Sequence, residues 1–321
     1  MKLIILIPSY NEEETIAEVI KRVPSSFEGI EKHTILVIDD GSTDDTVALA
    51  ENSGATVISH QENRGVGATF TTGLIKSLEL GADIMVNIDA DGQFDPSQIT
   101  NLIQPILEDK ADFVSGDRFT NANGQMKKPL NMAAIKFWGN RVMSRLISLL
   151  SGKSFNDVSC GFRAYSKEAM LWLNLIGEFT YTQESFLDFA HKGLRIVLVP
   201  VDVKYVADRK SKVAGNLFHY IIRTMKIITR AYRDYYPMRF FFFFFLFPFI
   251  IGFACGIFML IHYIQTRVFT PYKHIGFIGI YLGSLALLLW IVGLLADMFR
   301  RMRSNQEKLL YFEKKRQYSK E

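Results

Sequence analysis

The chain of 321 residues has little cysteine, with Cys160 and Cys255 as its only thiols. Two cysteines give no basis for a disulfide framework or a zinc site. A secretion signal is also lacking, because the first apolar stretch, 3–7, is too short and leads directly into a polar loop. We therefore expect residues 1–239 to stay in the cytoplasm. Internal repeats are absent as well.

Charge is missing from two long stretches near the C-terminus. Residues 240–264 and 275–296 contain no Asp, Glu, Lys or Arg. Each stretch could cross the ~30 Å of hydrocarbon in a bilayer as a helix, which predicts two spans in the cell membrane; two buried core helices are the alternative. A hairpin of spans returns the C-terminus to the cytoplasm, and the flanking Arg239 and Arg300 fit that orientation. The polar tail 299–321 is then a cytoplasmic helix or disordered.

The first half of the chain alternates β-rich runs with helical segments. Its Ile, Val and Leu runs are continuous, which is typical of parallel strands buried on both faces. The order predicts an α/β, Rossmann-like and mostly parallel sheet, whose ligands bind beyond the carboxyl ends of the strands. The predicted strands are 3–7, 34–38, 56–59, 84–88, 113–115 and 196–199, and the predicted helices are 13–22, 44–53, 66–79, 96–108, 131–150 and 213–236.

The segment 213–238, directly before the first span, has the pattern of a helix with two different faces. Apolar residues recur at spacings of three and four on one face, and the opposite face carries Arg223, Lys226, Arg230 and Arg233. This favours a position at the membrane surface beside anionic headgroups; packing on the domain core is the alternative. The predicted domains are a catalytic domain over 1–212, this helix, two spans within 239–298, and the tail.

Two carboxylates separated by one residue follow the predicted strand 84–88. Asp89 and Asp91 can share a hard cation such as Mg²⁺ or Mn²⁺, which takes oxygen ligands and bridges carboxylates to substrate phosphates. Such a cation neutralises a diphosphate leaving group as a Lewis acid. For this pattern alone, an Asx turn that caps the next helix is the alternative.

Polar segments also follow the first two predicted strands. Segment 8–12, Pro-Ser-Tyr-Asn-Glu, offers an aromatic ring and a carboxylate suited to a nucleobase. Segment 39–44 offers acidic groups that can accept hydrogen bonds from a base or ribose, although its Ser, Thr and Asp could equally cap the next helix. The glycines of segment 63–73 allow close backbone approach.

In this order and spacing, segments 8–12, 39–44, 63–73 and 89–93 resemble family 2 glycosyltransferases of the GT-A fold. Segment 156–164 is similar to the D-x-x-S-G-F-R motif of dolichol-phosphate mannose synthase and related polyprenyl-phosphate glycosyltransferases, with Cys160 as an extra residue. The two spans resemble the bacterial two-span subgroup. The resemblance implies inverting transfer of a sugar from a UDP- or GDP-sugar to dolichyl or undecaprenyl phosphate, with Mg²⁺ or Mn²⁺ as cofactor.

The resemblance also implies roles for individual residues. The nucleotide-sugar would be bound by Pro8, Tyr10, Asn11, Glu12, Asp39, Asp40, Asn63, Gly67, Asp89, Ala90, Asp91, Arg209 and Lys212. The metal would be bound by Asp89, Asp91 and Gln93. The acceptor phosphate would meet Arg118, Lys136, Asn140 and Arg163, with Asn140 in place of the family's usual serine. The catalytic candidates are Asp91, Asp157 and Glu184.

Several alternatives stay open in the sequence. A phosphate acceptor is largely ionised at neutral pH and needs little help from a base, so Asp157 and Glu184 could instead orient Arg163 or the acceptor, and Asp157 could form a structural salt bridge. The basic loop around Arg209 and Lys212 could be a solvated turn near anionic lipid. Rival functions are transfer to a lipid-linked glycan or polysaccharide and a non-catalytic scaffold; a Q-x-x-R-W motif for processive synthesis is missing. Expected partners are the donor, the acceptor and the bilayer, with a homo-oligomer left open and no nucleic acid.

Overall fold

The computed structural model describes residues 1–174, 181–205, 229–230 and 232–318. They form two compact units, one from the described residues of Met1–Arg209 and Leu310–Glu321, the other from those of Lys210–Leu309. The predicted site residues Arg209 and Lys212, and most of the predicted helix 213–238, lie outside the described residues.

One sheet organises the first unit. Its strands are β1 (Lys2–Ser9), β2 (Lys32–Asp39), β3 (Thr56–Ser59), β4 (Ile84–Asn87), β5 (Phe113–Asp117), β6 (Arg163–Ser166) and β7 (Ile196–Pro200). Their order in space is β3-β2-β1-β4-β6-β5-β7. Only β6 runs antiparallel to its neighbours, β4 and β5. The predicted α/β architecture with a mostly parallel sheet is therefore confirmed.

Helices connect and cover these strands. They are α1 (Ile16–Lys21), α2 (Thr46–Asn52), α3 (Val66–Glu79), α4 (Ile99–Leu107), α5 (Ala134–Ser151), α6 (Lys167–Trp172) and α7 (Tyr181–His191), with a short 3-10 helix at Pro96–Gln98. The continuous apolar run of β1 is explained by its central position, since Leu3, Ile5 and Ile7 are fully buried. Helix α3 packs so closely on β1 that a Cβ at Gly73 would lie 2.3 Å from Leu6 Cδ1. Any larger residue there would displace the buried side chain of Leu6.

Two further helices are long and apolar. Helix α8 (Pro237–Thr266) and helix α9 (Lys273–Tyr318) each have the length and composition needed to cross a membrane. The predicted spans 240–264 and 275–296 lie inside them. Helix α9 does not stop at the predicted span but continues through the tail as far as the structure describes it.

The end of helix α9 belongs to the first unit. Tyr311 stacks on Trp172 of α6 at 4.2 Å between ring centroids, and its hydroxyl hydrogen-bonds to Glu168 at 3.1 Å. Lys314 donates to the Leu173 carbonyl at 3.0 Å and to Asn174 Oδ1 at 2.7 Å. The end of helix α9, from Leu310 onward, is therefore part of the packing of the first unit.

Candidate active site

The loops that follow β1 and β2 are joined by hydrogen bonds at the carboxyl edge of the sheet. The Asn11 amide donates to Ser42 Oγ at 2.9 Å, and the Thr43 amide donates to Asn11 Oδ1 at 2.9 Å. Asn11 has a φ of 52°, a left-handed conformation that asparagine tolerates better than most residues. Pro8 lies within β1, and Tyr10 is exposed beside this junction. The structure thus brings the two predicted nucleotide-binding segments together.

Two adjacent carboxylates end β2 and are both buried. Asp39 accepts hydrogen bonds from the Ser42 amide at 3.2 and 3.3 Å. Asp40 accepts from the amides of Arg64 at 3.0 Å and Gly65 at 2.8 Å. Burial raises the pKa of Asp40, but these hydrogen bonds and one from a histidine lower it below its usual value overall. Asp40 therefore holds the turn before α3.

His60 is the residue at this edge that the sequence reasoning missed. Its Nδ1 lies 2.8 Å from Asp40 Oδ1 and its Nε2 lies 3.0 Å from Thr72 Oγ1. With Asp40 ionised, Nδ1 is the donor to the carboxylate. His60 directly follows β3, so the rule that parallel strands end at one edge could have identified it. In the segment that follows, Asn63 is exposed and Gly67 is buried in the first turn of α3.

Asp89 and Asp91 follow β4, beside β1, and are both half-buried. Burial and the charge of Asp91 raise the pKa of Asp89 to about 7, while the positive charges of Arg118 and Arg163 oppose the rise. Glu12 adds to the negative charge around Asp89. Asp91 Oδ1 accepts from the Gln93 amide at 3.0 Å, which forms an Asx turn. This turn is not the helix cap of the alternative interpretation, because Asp95 caps the next helix. A carboxylate has enough lone pairs for this turn and a metal ligand together.

The segment before β6 lies directly against Asp89. A Cβ added to Gly161 would be 2.7 Å from Asp89 Oδ2, so a side chain at this position would displace the Asp89 carboxylate or the backbone. Asn87 of β4 fixes the approach, since its Nδ2 donates to the Gly161 carbonyl at 2.9 Å. The two sequence motifs, 89–93 and 156–164, therefore meet at one point. Ala90, between the two aspartates, is buried.

The chemistry of this pair fits a divalent cation. Asp89, Asp91 and Gln93 carry the oxygen donors that Mg²⁺ and Mn²⁺ prefer. The raised pKa of Asp89 reflects its burial and the repulsion from Asp91, and a cation would offset both. Among the described residues, no group of three or more His, Cys, Asp or Glu side chains could hold a metal. Two carboxylates that share a metal with substrate phosphates match the usual mode for Mg²⁺.

Arg118, directly after β5, forms a buried ion pair with Asp157. Its Nε donates to Asp157 Oδ2 at 2.7 Å and its Nη2 to Oδ1 at 2.9 Å. Burial acts to lower the pKa of Arg118, but the charge and hydrogen bonds of Asp157 raise it well above the usual value. The structure thus contains the salt bridge that was the alternative role for Asp157. Catalytic action by Asp157 stays a prediction.

Tyr205 connects Arg118 to helix α5. Arg118 Nη1 donates to the Tyr205 hydroxyl at 3.1 Å, and Lys136 Nζ lies 5.1 Å from the centre of the Tyr205 ring. Burial and the charge of Arg118 lower the pKa of Lys136, while Asp91 acts in the opposite direction. The predicted phosphate ligands Arg118 and Lys136 therefore lie together and within the electrostatic reach of Asp91. Asn140, one turn further along α5, is buried.

Arg163 is fully buried at the start of β6. Its guanidinium donates to the carbonyls of Cys160 at 2.6 Å, Thr182 at 2.8 Å and Val158 at 3.1 Å, and to Ser185 Oγ at 2.7 Å. These bonds tie the segment before β6 to the first turn of α7, where Glu184 also lies. Arg163 therefore supports the site from the protein interior. Its predicted contact with an acceptor phosphate stays a prediction, and so does the catalytic role of Glu184.

Comparison with known proteins identifies the group to which this site belongs. Residues 4–171 match the family described as glycosyl transferase family 2. The chain belongs to this family. It is a glycosyltransferase related to the polyprenyl-phosphate enzymes, and the resemblance found in the sequence is confirmed.

Relatives of this glycosyltransferase include enzymes that act on lipid phosphates. It is 37% identical over 183 residues to the UDP-N-acetylglucosamine–dolichyl-phosphate N-acetylglucosaminyltransferase of Methanococcus voltae, an alignment that covers 52% of this chain and 70% of the relative. It is 27% identical over 226 residues to the undecaprenyl-phosphate mannosyltransferase of Micrococcus luteus, covering 68% and 89%.

The fold also matches solved structures. Glucosyl-3-phosphoglycerate synthase from Mycobacterium tuberculosis, crystallised with Mn²⁺, UDP and glucosyl-3-phosphoglycerate, superimposes with a TM-score of 0.54 at 23% identity. The match covers 71% of this chain and 79% of that chain. At this identity the comparison supports the GT-A-like fold of the first unit and nothing finer.

Proposed function

We propose that this glycosyltransferase transfers a sugar from a UDP- or GDP-sugar to a polyprenyl phosphate at a membrane surface, with inversion at the anomeric carbon. The observation that carries the proposal is the pair of Lys136 and Arg118 on either side of Tyr205, within the electrostatic reach of Asp91. The anionic diphosphate of the donor and the anionic phosphate of the acceptor would each be attracted by positive charge in the same site.

The donor side consists of the edge formed by β1, β2 and β4. The joined loops around Asn11 and Ser42 offer a surface for the nucleoside, with Tyr10 exposed beside them. Asp89, Asp91 and Gln93 would hold a divalent cation, which when bound supplies neutralisation of the diphosphate leaving group.

The acceptor side is Lys136. Its ammonium is the more accessible of the two cations, because Arg118 is buried with its guanidinium committed to Asp157 and Tyr205. The buried Arg118 therefore contributes a positive electrostatic potential to the site without contacting the acceptor, and Lys136 binds the acceptor phosphate. The relatives named for dolichyl-phosphate and undecaprenyl-phosphate transfer support this class of acceptor.

The reaction needs little proton transfer. A phosphate monoester has its second pKa near ~6, so its oxygen is already a nucleophile at pH 7. That oxygen forms a bond to the anomeric carbon while the bond from this carbon to the donor diphosphate breaks, and the nucleoside diphosphate leaves. Asp157 need not act as a base, which agrees with its full engagement by Arg118. The two apolar helices α8 and α9 would anchor the enzyme in the cell membrane, with the catalytic unit in the cytoplasm.

The proposal is tested with the full chain in phospholipid vesicles that contain a polyprenyl phosphate. A panel of radiolabelled UDP- and GDP-sugars is offered with Mn²⁺, and the organic phase is counted. We expect labelled lipid with at least one donor and none after chelation of the metal. Turnover of a donor without labelled lipid would contradict the acceptor assignment.

Two substitutions test the two sides separately. Asp91→Asn should abolish transfer. Asp95→Asn should retain it, because Asp95 pairs with Arg22 and caps the 3-10 helix, and asparagine caps equally well.

Lys136→Gln should raise the KM for the lipid about tenfold, because one hydrogen bond to a charged group is lost. The KM for the donor should be unchanged. Lys110→Gln, at an exposed ion pair with Glu108, is its control. Equal effects of the two lysine variants would contradict the acceptor role.

A further inference from the structure

The side chain of His60, directly after β3, is only 7% exposed. Its two ring nitrogens have different partners, since Nδ1 lies 2.8 Å from Asp40 Oδ1 and Nε2 lies 3.0 Å from Thr72 Oγ1. Its backbone amide donates to the Asp39 carbonyl at 2.8 Å. The imidazole therefore connects the end of β2 to helix α3 across the end of β3.

The Asp40 carboxylate is fully engaged by donors of the protein. His60 and the Arg64 amide donate to Oδ1, the Gly65 amide donates to Oδ2 at 2.8 Å, and Thr69 supplies a fourth hydrogen bond. A carboxylate offers about four lone-pair sites, and this one is 5% exposed. Asp40 therefore acts on a ligand through the backbone that it holds.

That backbone is the segment 62–65, which lies against the loop after β2. A Cβ added to Gly41 would be 3.0 Å from the carbonyl carbon of Glu62, so the two stretches of backbone are in close contact. Gly65 has a φ of 86°, a conformation that glycine adopts without steric cost. The segment is therefore positioned by this backbone contact and by the two amide hydrogen bonds to Asp40.

Segment 62–65 adds a third loop to the proposed donor surface. The loops after β1 and β2 are already joined, because the Asn11 amide donates to Ser42 Oγ at 2.9 Å. Ligands of open α/β sheets bind where such loops meet, beyond the carboxyl ends of the strands. The alignment of the third loop with the other two depends on the carboxylate that the imidazole orients.

We infer that His60 is a positioning residue for the nucleotide of the donor. It orients the Asp40 carboxylate, which fixes segment 62–65 at the donor surface. The inference rests on the proposed function for the class of ligand, and it assigns no proton transfer to His60. The hydrogen bond to Asp40 carries this role, whereas the hydrogen bond to Thr72 fixes only the ring.

The side-chain amides of asparagine and glutamine separate the two hydrogen bonds of His60. In His60→Asn the amide nitrogen takes the place of Nδ1, so the bond to Asp40 is retained and the bond to Thr72 is lost. In His60→Gln it takes the place of Nε2, so the bond to Thr72 is retained and the bond to Asp40 is lost. Thr72→Val removes the Thr72 bond alone and is the matched control.

Binding of UDP and of GDP with Mn²⁺ to the full chain in detergent is measured by titration calorimetry. We expect His60→Gln to weaken binding about tenfold, because one hydrogen bond to a charged group is lost. His60→Asn and Thr72→Val should bind as tightly as the unsubstituted chain. Asparagine removes more volume than glutamine, so a mere loss of packing would give the opposite order.

Two further measurements follow the effect from the loop to the reaction. Exchange of the Arg64 and Gly65 amides, which Asp40 protects, should become faster in His60→Gln alone. In the transfer assay this variant should raise the KM for the donor about tenfold and leave kcat unchanged, as for an interaction made equally in the ground and transition states. The KM for the polyprenyl phosphate should also be unchanged, and thermal unfolding verifies that each variant is folded.

Equal weakening by His60→Asn and His60→Gln, or no weakening by either, would overturn the inference. Unchanged amide exchange in His60→Gln would overturn the path through Asp40. Binding of neither nucleotide by the unsubstituted chain would contradict the donor class and the inference together. If nucleotide binds but no lipid is labelled, the acceptor assignment of the proposed function fails, and the binding constants of the variants still decide the role of His60.

Discussion

Gly161 is the residue that connects the two halves of the site. It lies where the segment before β6 contacts the carboxylate of Asp89, and a side chain there would have to displace that carboxylate or the backbone. The Asn87 hydrogen bond to its carbonyl holds the backbone in that place. The position of Asp89 therefore depends on a glycine that has no chemical function of its own.

We expect Gly161→Ala to reduce transfer by about a hundredfold. The added methyl group would lie 2.7 Å from Asp89 Oδ2, so either the carboxylate or the backbone must move, and displacements of about 1 Å cost this much in rate. Steady-state assays with varied Mn²⁺ would measure the loss. Gly283→Ala is the control, because a Cβ there meets open space. Full activity of the Gly161 variant would mean that the close contact at Gly161 does not determine the position of Asp89.

The pair of Arg118 and Asp157 makes a second prediction at this scale. Asp157→Asn would leave the buried Arg118 charge without its counter-ion, so the free energy of unfolding should fall by about 3 kcal/mol or more. Asp202→Asn breaks the exposed pair with Lys127 and should cost less than about 1 kcal/mol. Denaturant unfolding in detergent compares the two. A similar small cost for both would mean that the buried pair contributes little.

At the scale of elements, the parallel strands were predictable because their burial on both faces leaves a continuous apolar run. The predicted strand 56–59 and helix 66–79 coincide with β3 and α3. The antiparallel strand β6 was not predicted. It contains only four residues, Arg-Ala-Tyr-Ser, and begins with a buried arginine.

The site residues also fall into two groups, those that could be predicted from the sequence and those that could not. Residues at strand ends, such as Asp39 and Asp89, follow from the pattern of the sheet. The partners of Arg118 do not, because Asp157 and Tyr205 are 39 and 87 residues away and only the packed chain brings them near.

The end of helix α9 gives the prediction at this scale. Tyr311 is 6% exposed and stacks on Trp172, so Tyr311→Ala should destabilise the catalytic unit by about 3 kcal/mol, as for other large buried side chains. The adjacent Phe312→Ala is the control, since Phe312 is 63% exposed. Thermal unfolding of the full chain in detergent measures both. Equal melting temperatures for the two variants would contradict the packing role of the tail.

At the scale of the whole molecule, the proposed anchoring in a membrane can be tested with the chain's own cysteine content. Burial raises the pKa of the Cys160 thiol to about 12, so it reacts poorly. Cys255 lies within α8. A single introduced cysteine is therefore the only thiol that an impermeant maleimide should modify.

We expect Glu28→Cys and Ser304→Cys to react from one side of a sealed membrane and Val268→Cys, between the two helices, from the other. This follows if α8 and α9 both cross the bilayer, because a hairpin returns the chain to its starting side. Right-side-out and inverted vesicles distinguish the two patterns. Modification of all three from the same side would exclude a hairpin of spans.

The single antiparallel strand of the sheet has one more consequence. At the edge of the sheet where the site lies, a parallel strand ends, so the residues that follow it in sequence lie at the site. This is the case for β1, β2 and β4. Strand β6 is antiparallel and begins at that edge, so the residues that precede it in sequence lie at the site, among them Asp157 and Gly161. The proposed donor surface is therefore encoded early in the chain, and the residues that support the proposed acceptor cations are encoded later. Changes in acceptor preference could accumulate in the later stretch while recognition of the nucleotide is left intact.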